Sequence, residues 1–156
     1  MNTRYSTTKS STPRNKLRLI PLGGLGEIGK NMMAVQYGGD IIVIDCGLMF
    51  PDEEMLGIDL VIPDISYLVE NQSKVRGIII THAHEDHIGA LPYVLPQLNV
   101  PVYCTRLAKG LISVKLKERK FLNQAKLHSL GVHGRVTLGP FRIEFFPVNH
   151  SIPDSV

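Results

Sequence analysis

The stretch Thr81-His82-Ala83-His84-Glu85-Asp86-His87 sets three histidines and an aspartate within six consecutive positions, 82–87. Residues 77–81 ahead of it form a compact aliphatic run with the signature of a strand, and Gly89-Ala90 behind it are small enough for a helix to pack close beneath. In an extended segment alternate side chains share a side, so His82, His84 and Asp86 are expected to converge while His87 points differently. Neutral imidazoles of His82 and His84 suit one metal ion, and Asp86 with His87 would face a second. A surface loop that happens to be rich in histidine, or an Asp86 that only caps the next helix, explains neither flank.

Working outward, residues 17–22, 32–37 and 41–45 are β-branched or aliphatic runs, the last two joined by a Gly38-Gly39-Asp40 turn, and they read as strands of a meander. Residues 46–63 form an acidic loop with Asp52, Glu53, Glu54 and Asp59, and Asp64 follows closely. A short helix is expected over 65–72, a helix over 88–98, a strand over 100–105, and an amphipathic helix over 107–122 with its lysines on one side. Strands return over 132–148 around a Gly139-Pro140 turn. Strands, then alternating helix and strand, then strands again point to a layered α/β sandwich rather than a purely parallel sheet.

The length of 156 residues suits one domain, and 44% hydrophobic with 20% charged residues is ordinary for a globular chain. Residues 1–16 carry Ser, Thr, Arg and Lys with almost no apolar side chains and are expected to be a disordered basic leader. The net charge of +3 is too mild to imply nucleic acid, and Lys115, Lys117, Arg119 and Lys120 suit a solvated helix face. Cys46 and Cys104 are expected to be reduced, partly buried thiols, and the lack of a CxxC pair excludes a zinc knuckle. There is neither an apolar run long enough for a membrane span nor a secretory signal, so a cytoplasmic location and no membrane partner are expected.

Gly24-Leu25-Gly26-Glu27-Ile28-Gly29 matches the dinucleotide-binding GxGxxG pattern, with Asp45 near the position of a ribose-binding acid. Too little chain remains before Gly38-Gly39 for the crossover helix, however, and a hairpin fits better. The glycines then permit tight turns beside the histidines. Asp45, at a strand end, either orients a ligand histidine or only caps a turn. His150, at the end of the last strand, is open between metal ligand and surface residue on spacing alone, while His128 and His133 stand outside any motif and are taken as structural.

Four segments together carry a resemblance: 22–31 (LGGLGEIGKN), Phe50-Pro51 with Leu56-Gly57-Ile58-Asp59, residues 81–89, and His150-Ser151-Ile152-Pro153-Asp154-Ser155. From about Leu17 to the last residue the chain resembles the ribonuclease J family, in the β-CASP branch of the metallo-β-lactamase superfamily. The resemblance implies the N-terminal half of an αββα sandwich. It implies that His82, His84 and His150 bind one zinc and that Asp86 and His87, also the catalytic pair, bind another, with manganese as an alternative metal. It further implies a structural calcium at the Gly57 carbonyl and the Asp59 carboxylate, RNA as substrate for 5′-to-3′ exonuclease and endonuclease cleavage in RNA maturation and decay, and a homo-oligomer.

The family pattern also needs a bridging aspartate, a late histidine and an inserted β-CASP domain, none of which lies within these residues. Residues 17–156 are therefore expected to be a partial, truncated metallo-β-lactamase domain with little nuclease activity alone. The histidine motif by itself also allows a hydrolase of small esters or thioesters, or a non-catalytic piece that binds RNA or a partner chain.

Overall fold

The computed structural model describes residues 16–156, so the expected leader lies, up to residue 15, outside the described residues. A sheet of six strands runs in the order β1 (Leu17–Gly23), β2 (Met32–Tyr37), β3 (Asp40–Ile44), β4 (Val75–Ile79), β5 (Val102–Cys104) and β6 (Leu127–Ser129). The first three are antiparallel, and β3 through β6 are parallel. The hairpin reading of the glycine-rich segment therefore holds, because β1 returns directly into β2 with Leu17 opposite Tyr37.

Alternation explains which face is which. Met32, Ala34, Ile41, Val43, Ile78 and Ile80 point to one side of the sheet, where they meet the helices α1 (Ser66–Glu70), α2 (Glu85–Ile88), α3 (Leu91–Val94) and α4 (Arg106–Glu118). Ile42 and Ile79 point to the other, where Leu138 and Phe145 cover them from the hairpin of β7 (Arg135–Leu138) and β8 (Phe141–Glu144). β3 and β4 are thus apolar on both faces, as central strands between two layers must be. Each fully enclosed aliphatic side chain, such as Ile78 or Leu95, contributes about 1.5–3 kcal/mol from removal of its surface from water. The result is the layered α/β arrangement expected from the order of elements.

Several sequence-based boundaries need correction. The helix expected over 88–98 is two short pieces, because the carbonyls that would extend the first are taken by other partners. Asn31 N–H donates to the Asp86 carbonyl at 3.0 Å, and Cys46 N–H to the His87 carbonyl at 2.8 Å. Pro92, which lacks an N–H, follows at the start of α3. The longer helix ends at Glu118 rather than 122, with Lys120 in the left-handed region at φ 58° and Phe121 N–H bonded back to the Leu116 carbonyl. Its lysines do not share a face: Lys109 and Lys115 flank the buried stripe Ala108, Ile112 and Leu116 on opposite sides, at 100° per residue, and Lys117 is exposed. The strand β6 went unanticipated, its three residues being too few for a pattern. Both cysteines are fully rather than partly buried, and both are free thiols.

Candidate metal centre

The centre forms beyond the carboxyl ends of β3 and β4, the edge at which parallel strands open toward a ligand. Asp45, first residue past β3, bonds to the neighbouring strand through its N–H and the Ile79 carbonyl at 2.8 Å. Its backbone is left-handed, φ 61°, a conformation that aspartate tolerates better than most residues and that aims its carboxylate across the strand ends.

That carboxylate organises two neighbours through three groups. Thr81 N–H donates to Asp45 Oδ1 at 2.8 Å and the Thr81 hydroxyl to Oδ2 at 2.8 Å. His87 Nδ1 lies 2.7 Å from Oδ2. Only 5% of Asp45 remains exposed, so these partners replace water at a site where an unpaired carboxylate would be costly. With its proton given to Asp45, the Thr81 hydroxyl is an acceptor for His82 Nδ1–H at 2.9 Å. In the neutral form of each ring, the chain of bonds leaves Nε2 of both His82 and His87 as a lone pair directed away from Asp45.

His82 Nε2 lies 3.1 Å from His150 Nε2, which is also 3.1 Å from His84 Nδ1. These three donor atoms lie within 4.8 Å of one another and form the one group of three metal-donor side chains found among the described residues. Nitrogens bound to a tetrahedral zinc at 2.0–2.1 Å stand about 3.3 Å apart, close to the two 3.1 Å separations that His150 makes, and neutral imidazoles are donors that such an ion takes. Burial, then the neighbouring His87, lowers the His82 pKa to about 4, keeping the ring in the unprotonated form that a metal requires.

Asp86 and His87 form a second pair, with His87 Nε2 3.4 Å from Asp86 Oδ2. The basis for the sequence expectation about Asp86 is corrected here. The chain leaves extended geometry after His84, and Glu85 and Asp86 open α2, so Asp86 lies beside His87 rather than in line with His82 and His84. Burial pulls the His87 pKa down, but the hydrogen bond and charge of Asp45, with Asp86, outweigh it and hold it above its ordinary value.

The motif turn is strapped from both sides. Leu48 N–H bonds to the Glu85 carbonyl at 3.1 Å and Ala90 N–H to the Cys46 carbonyl at 3.0 Å, in addition to the bonds from Asn31 and Cys46. Gly47 makes this approach possible, since a Cβ there would stand 1.6 Å from the Asp86 carbonyl oxygen. Gly89 packs closely against Leu48 rather than against a helix, a Cβ there being 2.4 Å from Leu48 Cγ. His150 is held by the closing loop: Val156 N–H donates to the Thr81 carbonyl at 3.0 Å, and Leu107 N–H, in the first turn of α4, to Asp154 Oδ2 at 3.2 Å.

The other candidates lie apart. Gly57, left-handed at φ 78°, and Asp59 are both exposed in the acidic loop, whose ends close through paired bonds between Met49 and Val61. His128 stacks on Tyr103 with centroids 5.0 Å apart, and His133 is exposed. Sequence reasoning gave no role to Asn31 or Gly47. Asn31 Nδ2 lies 3.0 Å from Asp86 Oδ2 and 3.2 Å from His87 Nε2. An amide immediately behind the glycine-rich turn was the available signal for Asn31. Gly47 offered none, because its partner lies 39 positions further on (86 − 47).

A strand-end cluster of this kind on a mixed sheet defines a class, and residues 25–149 match the Metallo-beta-lactamase superfamily, to which the chain belongs. Within that class it is similar to proteins called ribonuclease J. It is 42% identical over 149 residues to Ribonuclease J 1 of Streptococcus pyogenes serotype M3, covering 96% of this chain and 27% of that protein. It is 47% identical over 144 residues to Ribonuclease J 2 of Staphylococcus aureus strain NCTC 8325, covering 92% of this chain and 26% of that protein. The chain thus spans about a quarter of the length of these curated relatives. A solved structure of a protein of unknown function from Enterococcus faecalis V583 superposes with a TM-score of 0.66 at 19% identity, over 89% of this chain and 39% of that one. A diphosphatase of the PhnP family gives a TM-score of 0.51 at 21% identity, over 74% and 42%. Both likenesses concern the fold. Among the described residues no helix is long and apolar enough to cross a membrane.

Proposed function

We propose that the protein is a zinc-dependent ribonuclease of the ribonuclease J kind, with manganese as an alternative metal, cleaving RNA both from the 5′ end and internally. The observation that carries this reading is the convergence of His82 Nε2, His84 Nδ1 and His150 Nε2, brought from two distant segments to within 4.8 Å. These three residues would hold one ion, and Asp86 with His87 a second beside it. Bound there, such ions supply a hydrolytic nucleophile at neutral pH and neutralise charge on the phosphate being cleaved.

The chain's own residues prepare the site. Asp45 holds His87 in the tautomer with Nε2 free, and through Thr81 does the same for His82. Asp86, more exposed than His87, stands on the open side, where it can hold a proton-bearing group of the substrate or nucleophile. The names of the relatives support RNA as the substrate class. Calcium at the Gly57 carbonyl and Asp59, a cytoplasmic location, and a homo-oligomeric state belong to the same proposal. Among the described residues, Asp86 and His87 are the two side chains proposed for the second ion.

The test is a competition between 5′-monophosphorylated RNA and a thioester, using full-length protein before and after removal of metal with a chelator. Metal-dependent RNA cleavage supports the proposal. Thioester hydrolysis with intact RNA would replace it with a small-ester hydrolase.

A further inference from the structure

The loop that carries His150 is tied to a helix by Asp154. Left-handed at φ 60°, a conformation that aspartate tolerates, Asp154 accepts Leu107 N–H on Oδ2 at 3.2 Å and so joins the loop to the first turn of α4 across 47 positions. Leu107 is the second residue of α4, and its N–H is one that an N-cap side chain ordinarily accepts. The N-cap here is Thr105, which makes no such bond, and its buried hydroxyl has no hydrogen-bond partner among the described residues. The cap is supplied by Asp154 instead. A carboxylate suits that end of a helix, where free N–H groups and aligned peptide dipoles leave partial positive charge. The rest of the loop closes on itself: the Ser155 hydroxyl donates to the Ile152 carbonyl at 2.8 Å, Val148 N–H donates to the Ser155 carbonyl at 3.0 Å, and Ile152 packs on the core.

Metal-binding histidines are ordinarily aimed by a hydrogen bond to the ring nitrogen that does not meet the ion. His82 has such a partner in the Thr81 hydroxyl, itself bonded to Asp45. His150 is exposed, and among the described residues no group is hydrogen bonded to its Nδ1. Its ring is therefore aimed by the course of its own backbone, and four residues further on that backbone is fixed to α4. We infer that Asp154 is a positioning residue for the three-histidine centre, setting where His150 stands through the cap it supplies to α4. This inference rests on the reading of His82, His84 and His150 as metal ligands. The bond from Val156 N–H to the Thr81 carbonyl fixes the exit of the loop, but without Asp154 the turn between that bond and His150 loses its hold on the helix. Loss of a group that orients a ligand costs about ten- to a hundredfold in metal affinity.

The experiment is zinc titration of metal-free full-length protein against a chromophoric chelator, for the natural protein and for Asp154→Gly, Asp154→Asn, His150→Ala and Ile112→Val. Asp154→Gly accepts the left-handed backbone and removes the acceptor, so zinc at the three histidines should bind about tenfold more weakly. Asp154→Asn restores an acceptor oxygen in a residue that also tolerates this conformation, and affinity should return to within about threefold of the natural protein. Ile112→Val trims the buried face of the same helix without touching the loop. It should lower the denaturant midpoint and leave zinc affinity unchanged, which separates positioning from a general loss of stability. Natural affinity in Asp154→Gly, while His150→Ala loses the ion, would overturn the positioning role and leave the three-histidine reading standing. Equal weakening in Ile112→Val and Asp154→Gly would overturn it as well. Zinc held as tightly by His150→Ala as by the natural protein would overturn the three-histidine reading, and the positioning role with it.

Discussion

Asp45 Oδ2 meets His87 Nδ1 at 2.7 Å, joining the end of β3 to the first helical turn of the histidine motif across 42 positions. The same carboxylate accepts from Thr81 N–H and the Thr81 hydroxyl, so no apolar or amide replacement satisfies all three donors. In Asp45→Asn the side-chain oxygen is expected to keep Thr81 N–H and to turn its NH2 toward His87 Nδ1. That forces the proton of His87 onto Nε2, the atom facing Asp86. Nitrogen-15 shifts of the imidazole should report the exchanged tautomer, and unfolding should cost about 2 kcal/mol less than in the natural protein because a buried donor loses its acceptor. An unchanged His87 tautomer in this variant would refute the orienting role of Asp45.

Gly47→Ala should be among the most damaging single changes in the chain. Its Cβ would lie 1.6 Å from the Asp86 carbonyl oxygen, 2.1 Å from the carbonyl carbon and 2.8 Å from His87 N, all backbone atoms with no rotamer to yield. Relief requires parting the segment 46–48 from the motif, which breaks the bonds from Cys46 and Leu48. Loss of more than about 4 kcal/mol, or of soluble protein altogether, is expected. Gly39→Ala, where nothing lies within 4 Å of the new carbon, is the control and should stay within about 1 kcal/mol. Equal denaturant midpoints for the two variants would disprove the close-approach argument.

What was legible in the sequence was what depends on local period. The runs that became β2, β3 and β4 show their alternation or continuous apolarity directly, and a GxGxxG segment too short for its helix declared itself a hairpin. His82 and His84 could be paired because the chain is still extended there. Asp86 could not be placed by the same rule, since helical geometry begins at Glu85 and turns it toward His87. The helix after it was overestimated for a related reason: whether the Asp86 and His87 carbonyls continue a helix depends on N–H groups of Asn31 and Cys46, which periodicity does not see. Asp45, His150 and Asn31 belong to the site through partners 42 to 68 positions away, and only topology brings them there.

Cys46 and Cys104 should resist alkylation in the folded protein. Burial pushes the Cys46 thiol far above its ordinary range and the Cys104 thiol up to about 11, and both residues are fully enclosed. The reactive thiolate is therefore scarce at pH 8 as well as inaccessible. Iodoacetamide should label both at least about a hundredfold more slowly than a free cysteine, with full labelling on adding denaturant. Rapid native labelling at either position, read by mass spectrometry, would contradict its burial.

The ion pair of Lys115 with Glu85 looks like an anchor between α4 and the histidine motif, and magnitudes say that it is a weak one. The two side chains keep 28% and 43% of their exposure, so solvent screens the attraction and the pair is worth at most about 1 kcal/mol. The four backbone bonds that Asn31, Cys46 and Leu48 make with residues 85–90 hold the same turn from the other side, in part-buried surroundings where hydrogen bonds are better protected. Lys115→Met should therefore lower unfolding stability by less than about 1 kcal/mol and leave zinc affinity at the three histidines unchanged within about twofold. A loss above about 2 kcal/mol, or a weakened first ion, would move the anchor of the motif from the backbone straps to this ion pair.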